Sequence, residues 1–128
     1  MYIGTSVNES PTVATKAAAA IKDGAMLAVT LGANGVTKAT AGDAAIGLLI
    51  VGTEADVAAG DDVSVQVKDI GLWKTGAAVA AGALLASDAS GKAITAAAGN
   101  FIIAQALEAA TAADQVIHVQ IIKAGFAA

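Results

Sequence analysis

The single histidine, His118, is the side chain in this sequence best suited to general acid–base work. Catalysis by an imidazole calls for a nucleophile on one side and an orienting carboxylate on the other. His118 stands mid-strand between Ile117 and Val119, a setting that fits a structural or interface histidine. There is no cysteine and no second histidine, so a metal on His118 would need carboxylate partners. Asp61-Asp62 is the tightest acidic pair, and paired acids can share a proton or hold a hard cation. Adjacent residues at the start of a strand point to opposite faces, however, and Val63 and Val65 break the ligand spacing of a calcium loop. We expect a solvated turn there. Gly32-Ala33-Asn34-Gly35 lacks the Lys-Ser/Thr that follows a phosphate-binding loop. Ser6, Ser64, Ser87 and Ser90 lie in no nucleophile-elbow pattern. The reading is of a chain with no catalytic, cofactor or metal site.

Composition narrows the classes further. The 128 residues suit one domain able to bury a core without staples. Of these, 35 are alanine and only Tyr2, Trp73, Phe101 and Phe126 are aromatic, so the core should be thin or completed by a neighbouring subunit. Trp73 then serves either as a core anchor or as a subunit-interface anchor. The net charge is −4, with seven lysines, no arginine and no clustered basic run in the sequence, which argues against nucleic-acid binding. The longest apolar run, Ala44 to Gly52, is too short to cross a membrane as a helix. The N-terminus has no basic region leading into an apolar stretch, so a secretory signal is not expected. Absence of cysteine fits assembly in a reducing cytoplasm.

The framework that positions these residues is written twice. Gly24-Ala25-Met26-Leu27-Ala28 returns as Gly82-Ala83-Leu84-Leu85-Ala86, 58 positions on (24 to 82). Ala41-Gly42-Asp43 returns as Ala98-Gly99-Asn100, 57 on (42 to 99), and Val65-Gln66-Val67 as Val119-Gln120-Ile121, 54 on (65 to 119). Two copies are too few for a solenoid; a duplicated β-unit is the expectation. Val63, Val65 and Val67 alternate with polar residues, as a half-buried strand does. Ile117, Val119 and Ile121 alternate too, with further apolar residues at the ends, so that strand could be covered on both faces. Asn34-Gly35 predicts a two-residue type I′ hairpin, with Ser90-Gly91 in the matching place of the second copy. Residues 1–22 read as an N-terminal arm holding the only proline, Pro11, and residues 23–128 as one β-rich domain. High alanine content predicts one or two short helices, at Thr15 to Ile21 and Leu107 to Ala113. The fold class is mainly β, a small barrel or sandwich of two related halves.

From Val57 onward a family resemblance emerges. Val57-Ala58-Ala59-Gly60-Asp61-Asp62-Val63 is followed by Gly71-Leu72-Trp73, Val79-Ala80-Ala81-Gly82-Ala83-Leu84-Leu85, Ser90-Gly91-Lys92 and Ala106-Leu107-Glu108-Ala109-Ala110, then a last strand. This order resembles the small capsid cement, or decoration, proteins of tailed bacteriophages. Gly82-Ala83 departs from the Gly-Asp of many relatives, and the alanine content is high. The resemblance implies a structural virion protein on the outer surface of the head, assembled in the host cytoplasm. It would bind the major capsid protein and stabilise the shell against internal DNA pressure, as a homotrimer, with no cofactor. On this reading the arm residues Tyr2, Ile3, Val7, Pro11 and Val13 contact the capsid. Two rivals are a surface-displayed carbohydrate-binding or adhesion module, which would need exposed aromatics, and a small hydrolase-like β-domain using His118.

Overall fold

Alternating side chains and frequent turns produce ten short strands among the described residues of the computed structural model, which are 10–22, 24, 26–50 and 56–128. They are β1 (Thr12–Lys16), β2 (Ala28–Gly32), β3 (Gly35–Lys38), β4 (Gly47–Ile50), β5 (Asp62–Gln66), β6 (Asp69–Lys74), β7 (Leu84–Ser87), β8 (Ala93–Thr95), β9 (Phe101–Ala106) and β10 (Val116–Phe126). The first five make an antiparallel sheet in the order β1-β5-β4-β2-β3, and the last five another in the order β6-β10-β9-β7-β8. The second order is the first with each label advanced by five, so the two halves share one topology in a sandwich-like arrangement.

The duplication holds bond by bond. Ala17 bridges Val36 in parallel and Thr75 bridges Ala93 the same way; Ile21 bridges Val57 and Val79 bridges Ala110, both antiparallel. The first pair of bridges brings the two outer strands of each sheet together, so each half curls without closing into a barrel. Gly35 permits that approach: its φ is +125°, and a Cβ there would collide with the Lys16 carbonyl oxygen. The turns at 40–43 and 97–100 are copies. Asp43 N donates to Thr40 O, and Thr40 N donates to Asp43 Oδ2 at 2.8 Å. Asn100 N donates to Ala97 O, and Ala97 N donates to Asn100 Oδ1 at 2.9 Å.

Several sequence-based expectations are corrected. The counterpart of Gly82 is Met26, not Gly24. Met26 N donates to Leu49 O as Gly82 N donates to Ala106 O, and both residues have positive φ. Only the backbone role is repeated there, so the matching Gly-Ala letters mislead by two positions. The β2–β3 turn is made by Ala33 and Asn34, with Gly32 paired to Gly35. Neither turn residue has positive φ, so the turn is not type I′; Asn34-Gly35 is shifted one place from where that type needs it. No helix occurs among the described residues. Thr15 to Ile21 instead finishes β1 and makes the bridges at Ala17 and Ile21. Leu107 to Ala113 contains the bridge at Ala110. Alanine's helix preference is a fraction of a kcal/mol per residue, and cross-strand pairing outweighs it. Finally, β10 is covered on one face only: Ile117, Val119 and Ile121 are buried while Val116 and Ile122 are exposed.

The core divides into two clusters. Ala17, Ile21, Val29, Val36, Leu49, Val57, Val63 and Val65 form the first, inside the first half. In the second half, Val79, Leu85, Ala93, Ala106, Ala110, Ile117 and Val119 take the matching places. There they join Trp73, Ile103 and a set from the first half, namely Ala28, Ala39, Ala45 and Leu48. That shared cluster fastens the halves together, and each buried Leu, Ile or Val side chain contributes about 1.5–3 kcal/mol. Backbone bonds cross the seam as well: Ala28 N donates to Gly91 O at 2.8 Å, Lys74 N to Met26 O at 3.0 Å and Gly42 N to Ser87 O at 3.0 Å.

Candidate docking surface

The side chains with chemical potential are dispersed. On exposed β10, the His118 backbone N–H donates to Glu108 Oε2 at 2.8 Å and its ring Nδ1–H donates to the same oxygen at 2.6 Å. Those bonds, the backbone one foremost, hold the Glu108 carboxyl below its ordinary pKa of 4.5. The pair staples the Ala106–Ala110 segment to β10. The Asp61-Asp62 pair is split by the strand start. Asp61 Oδ2 accepts from Ala58 N at 2.9 Å, closing its own turn. Asp62 pairs with Lys16 Nζ across β1 and β5 at 2.8 Å, which holds Asp62 below its ordinary pKa. In the second half Gln115 does what Asp61 does, accepting from Thr111 N at 2.9 Å. No group of three potential metal ligands occurs among the described residues.

Trp73 is completely buried, with Ile117 opposite it on β10. Its Nε1–H donates to Gly91 O at 2.9 Å, the same carbonyl that accepts from Ala28 N. Trp73 is thus a core anchor at the seam, and it presents no side-chain surface to a neighbouring subunit. Among the other aromatics, Phe126 is exposed and meets Phe101 edge-on at 5.2 Å. Of the residues expected to touch a capsid, Tyr2, Ile3 and Val7 lie outside the described residues. Pro11 is exposed and its carbonyl accepts from Val67 N at 2.9 Å. Val13 is half-buried on the edge strand β1, where it packs against the first core cluster.

A broad apolar exposure among the described residues, which sequence reasoning missed, is on the outer face of the second sheet. The register aligns Ile70, Gln120, Gln105 and Leu84 across β6, β10, β9 and β7. Leu72 lies opposite His118 and Lys74 opposite Val116, and Leu107 N donates to His118 O. Ile70 is 58% exposed, and Leu72, Leu84, Leu107 and Val116 each exceed 40%. The first half shows what such a face can do. There Ala28 and Leu48 occupy the places of Leu84 and Gln105, and both are buried in the cluster shared with the second half. One copy of the face is therefore covered within the chain, whereas the other is covered at Ala86 and Ile103 and open at Ile70, Leu72, Leu84, Leu107 and Val116. Alternation in β10 signalled two apolar edges, but only pairing register reveals which strands join them.

Comparison with known proteins places this geometry in context. A family model described as phage cement protein matches residues 6–121. Among solved structures, the head fiber gp8.5 N base of bacteriophage phi29 is similar, with a TM-score of 0.65 and 16% identity. The likeness covers 91% of this chain and 98% of that one. At that identity it is a likeness of fold. No curated protein sequence matches the chain.

Proposed function

Since the chain belongs to the phage cement protein family, we propose that it is a structural virion protein that docks on the outer surface of a phage head. It binds the major capsid protein and stabilises the shell against the pressure of packaged DNA, making and breaking no bond. The observation that carries this reading is the family match across residues 6–121. The open outer face of β6, β10, β9 and β7 supports it, because that face offers apolar side chains around the amides of Gln105 and Gln120 and the His118–Glu108 pair. Contiguous apolar exposure of this kind marks interaction sites. Docking as a homotrimer would let modest contacts per subunit add through high local concentration. The arm, with Tyr2, Ile3, Val7, Pro11 and Val13, would extend the contact.

The direct test mixes the purified protein with heads that lack it. Saturable binding at a fixed ratio, with a higher shell melting temperature, is the expected result. Absence of binding at micromolar protein overturns the proposal. Leu72→Asp with Leu107→Asp should abolish docking while leaving the circular dichroism spectrum unchanged.

A further inference from the structure

Although the sequence shows no basic run, the fold gathers four of the seven lysines around one opening. Lys22 and Lys38 from the first half meet Lys74 and Lys92 from the second around a cleft of about 370 Å³ at the seam. Leu27, Ser90 and Asp114 complete its lining. Lys92 Nζ pairs with Asp114 Oδ1 at 2.6 Å, and Lys74 is near enough to add to the lowering of the Asp114 pKa. Among the described residues Lys22, Lys38 and Lys74 form no ion pair. Among the described residues the lining thus carries +3 (4 − 1), in a chain whose net charge is −4, which leaves −7 for all other residues.

We propose that this cleft binds a short acidic peptide segment, and that the segment belongs to the shell protein; the second half of the statement rests on the cement reading. The ammonium groups of Lys22, Lys38 and Lys74, arriving from separate parts of the backbone beside the Lys92–Asp114 pair, are point donors with no shared plane, so they match several carboxylates spaced along a chain. The negative remainder of the surface disfavours a long polyanion such as a nucleic acid, whose binding needs an extended basic track. A short acidic segment avoids that repulsion by entering the cleft alone. Because both halves supply lysines, occupancy also clamps the seam.

The test titrates the full-length protein with a hexaglutamate peptide. Parallel arms use inorganic phosphate, an oligothymidylate and uncharged hexaglutamine. Hexaglutamate should bind 1:1, shift the amide resonances around Ser90 and Leu27, and weaken as salt rises from about 50 to about 300 mM. Replacing Lys22, Lys38 and Lys74 together by Gln should weaken it about tenfold or more, whereas Lys68→Gln with Lys123→Gln should not. No hexaglutamate binding, or tighter binding of phosphate or oligothymidylate, overturns the proposal. So does a folded triple variant that binds the peptide like wild type. If that variant fails to fold, the wild-type shift map decides: shifts located away from the seam overturn the assignment. Heads separate the two readings. Wild type that binds hexaglutamate but not heads refutes the cement reading and keeps the acidic-peptide site. A triple variant that docks on heads as tightly as wild type refutes the shell segment and keeps the cement reading.

Discussion

Trp73 shows how much one side chain can carry in an alanine-rich core. It fills the largest buried volume and bonds the Gly91 carbonyl that also holds Ala28. Trp73→Ala should lower stability by about 3–5 kcal/mol, and Trp73→Phe, which keeps much of the volume but loses the N–H, by about 1–2 kcal/mol. Urea denaturation measures both; a Trp73→Phe variant as stable as wild type would mean that the hydrogen bond is irrelevant, and equal losses would mean that the ring volume is. Exposed carboxylates act on a different axis. Glu108, Asp62 and Asp114 all have folded pKa values below their ordinary 4.5, 3.8 and 3.8. A depressed carboxylate stabilises above its unfolded pKa, and that contribution disappears as pH falls through the lower folded value. Melting temperature should therefore hold steady down to about pH 4.5 and decline below it. Glu108→Gln should make the decline shallower, and an unchanged slope would show that the His118 bonds do not couple to folding.

At the level of elements, the described part of the N-terminal segment belongs to the first sheet. Residues 12–16 pair with β5, Val13 packs on the first cluster, and Ala17 and Ile21 are buried within it. Pro11 sits just outside the strand, where its missing N–H costs no ladder bond. Deleting residues 1–9 should leave the fold intact and weaken docking on heads. Deleting residues 1–16 should lower the melting temperature by about 10 °C or more, because β5 loses one of its two partners. Thermal scans of the two truncations check this; equal stability would mean that β1 contributes nothing. The same element logic explains why helices fail to form. Short alanine runs make marginal helices in isolation. Here, bridges such as Ile21 to Val57 and Val79 to Ala110 fix them as extended chain.

At the scale of the whole molecule, the two halves are copies in topology yet unequal in role. The outer face of the first sheet supplies Ala28 and Leu48 to the shared cluster, while the residues in the matching places of the second, Leu84 and Gln105, lie outside it. A shared core and cross-seam backbone bonds couple the halves, so unfolding should be one cooperative transition. Trp73 fluorescence reports the second half and far-ultraviolet circular dichroism reports both; their melting curves should coincide. Two separated transitions would show independent halves.

The sequence alone determined a duplicated, mainly β chain, its turns at Gly42-Asp43 and Gly99-Asn100, and its resemblance to capsid cement proteins. These are local properties: period-two alternation and turn chemistry act over a few neighbouring residues. Tertiary structure decided the rest. It placed Trp73 inside, exchanged the expected helices for bridges, and aligned Met26 with Gly82. It also left part of one sheet face open and drew Lys22, Lys38, Lys74 and Lys92 to a single cleft. Each of these depends on the register between strands distant in sequence, where side chains meet through backbone pairing that linear spacing does not encode.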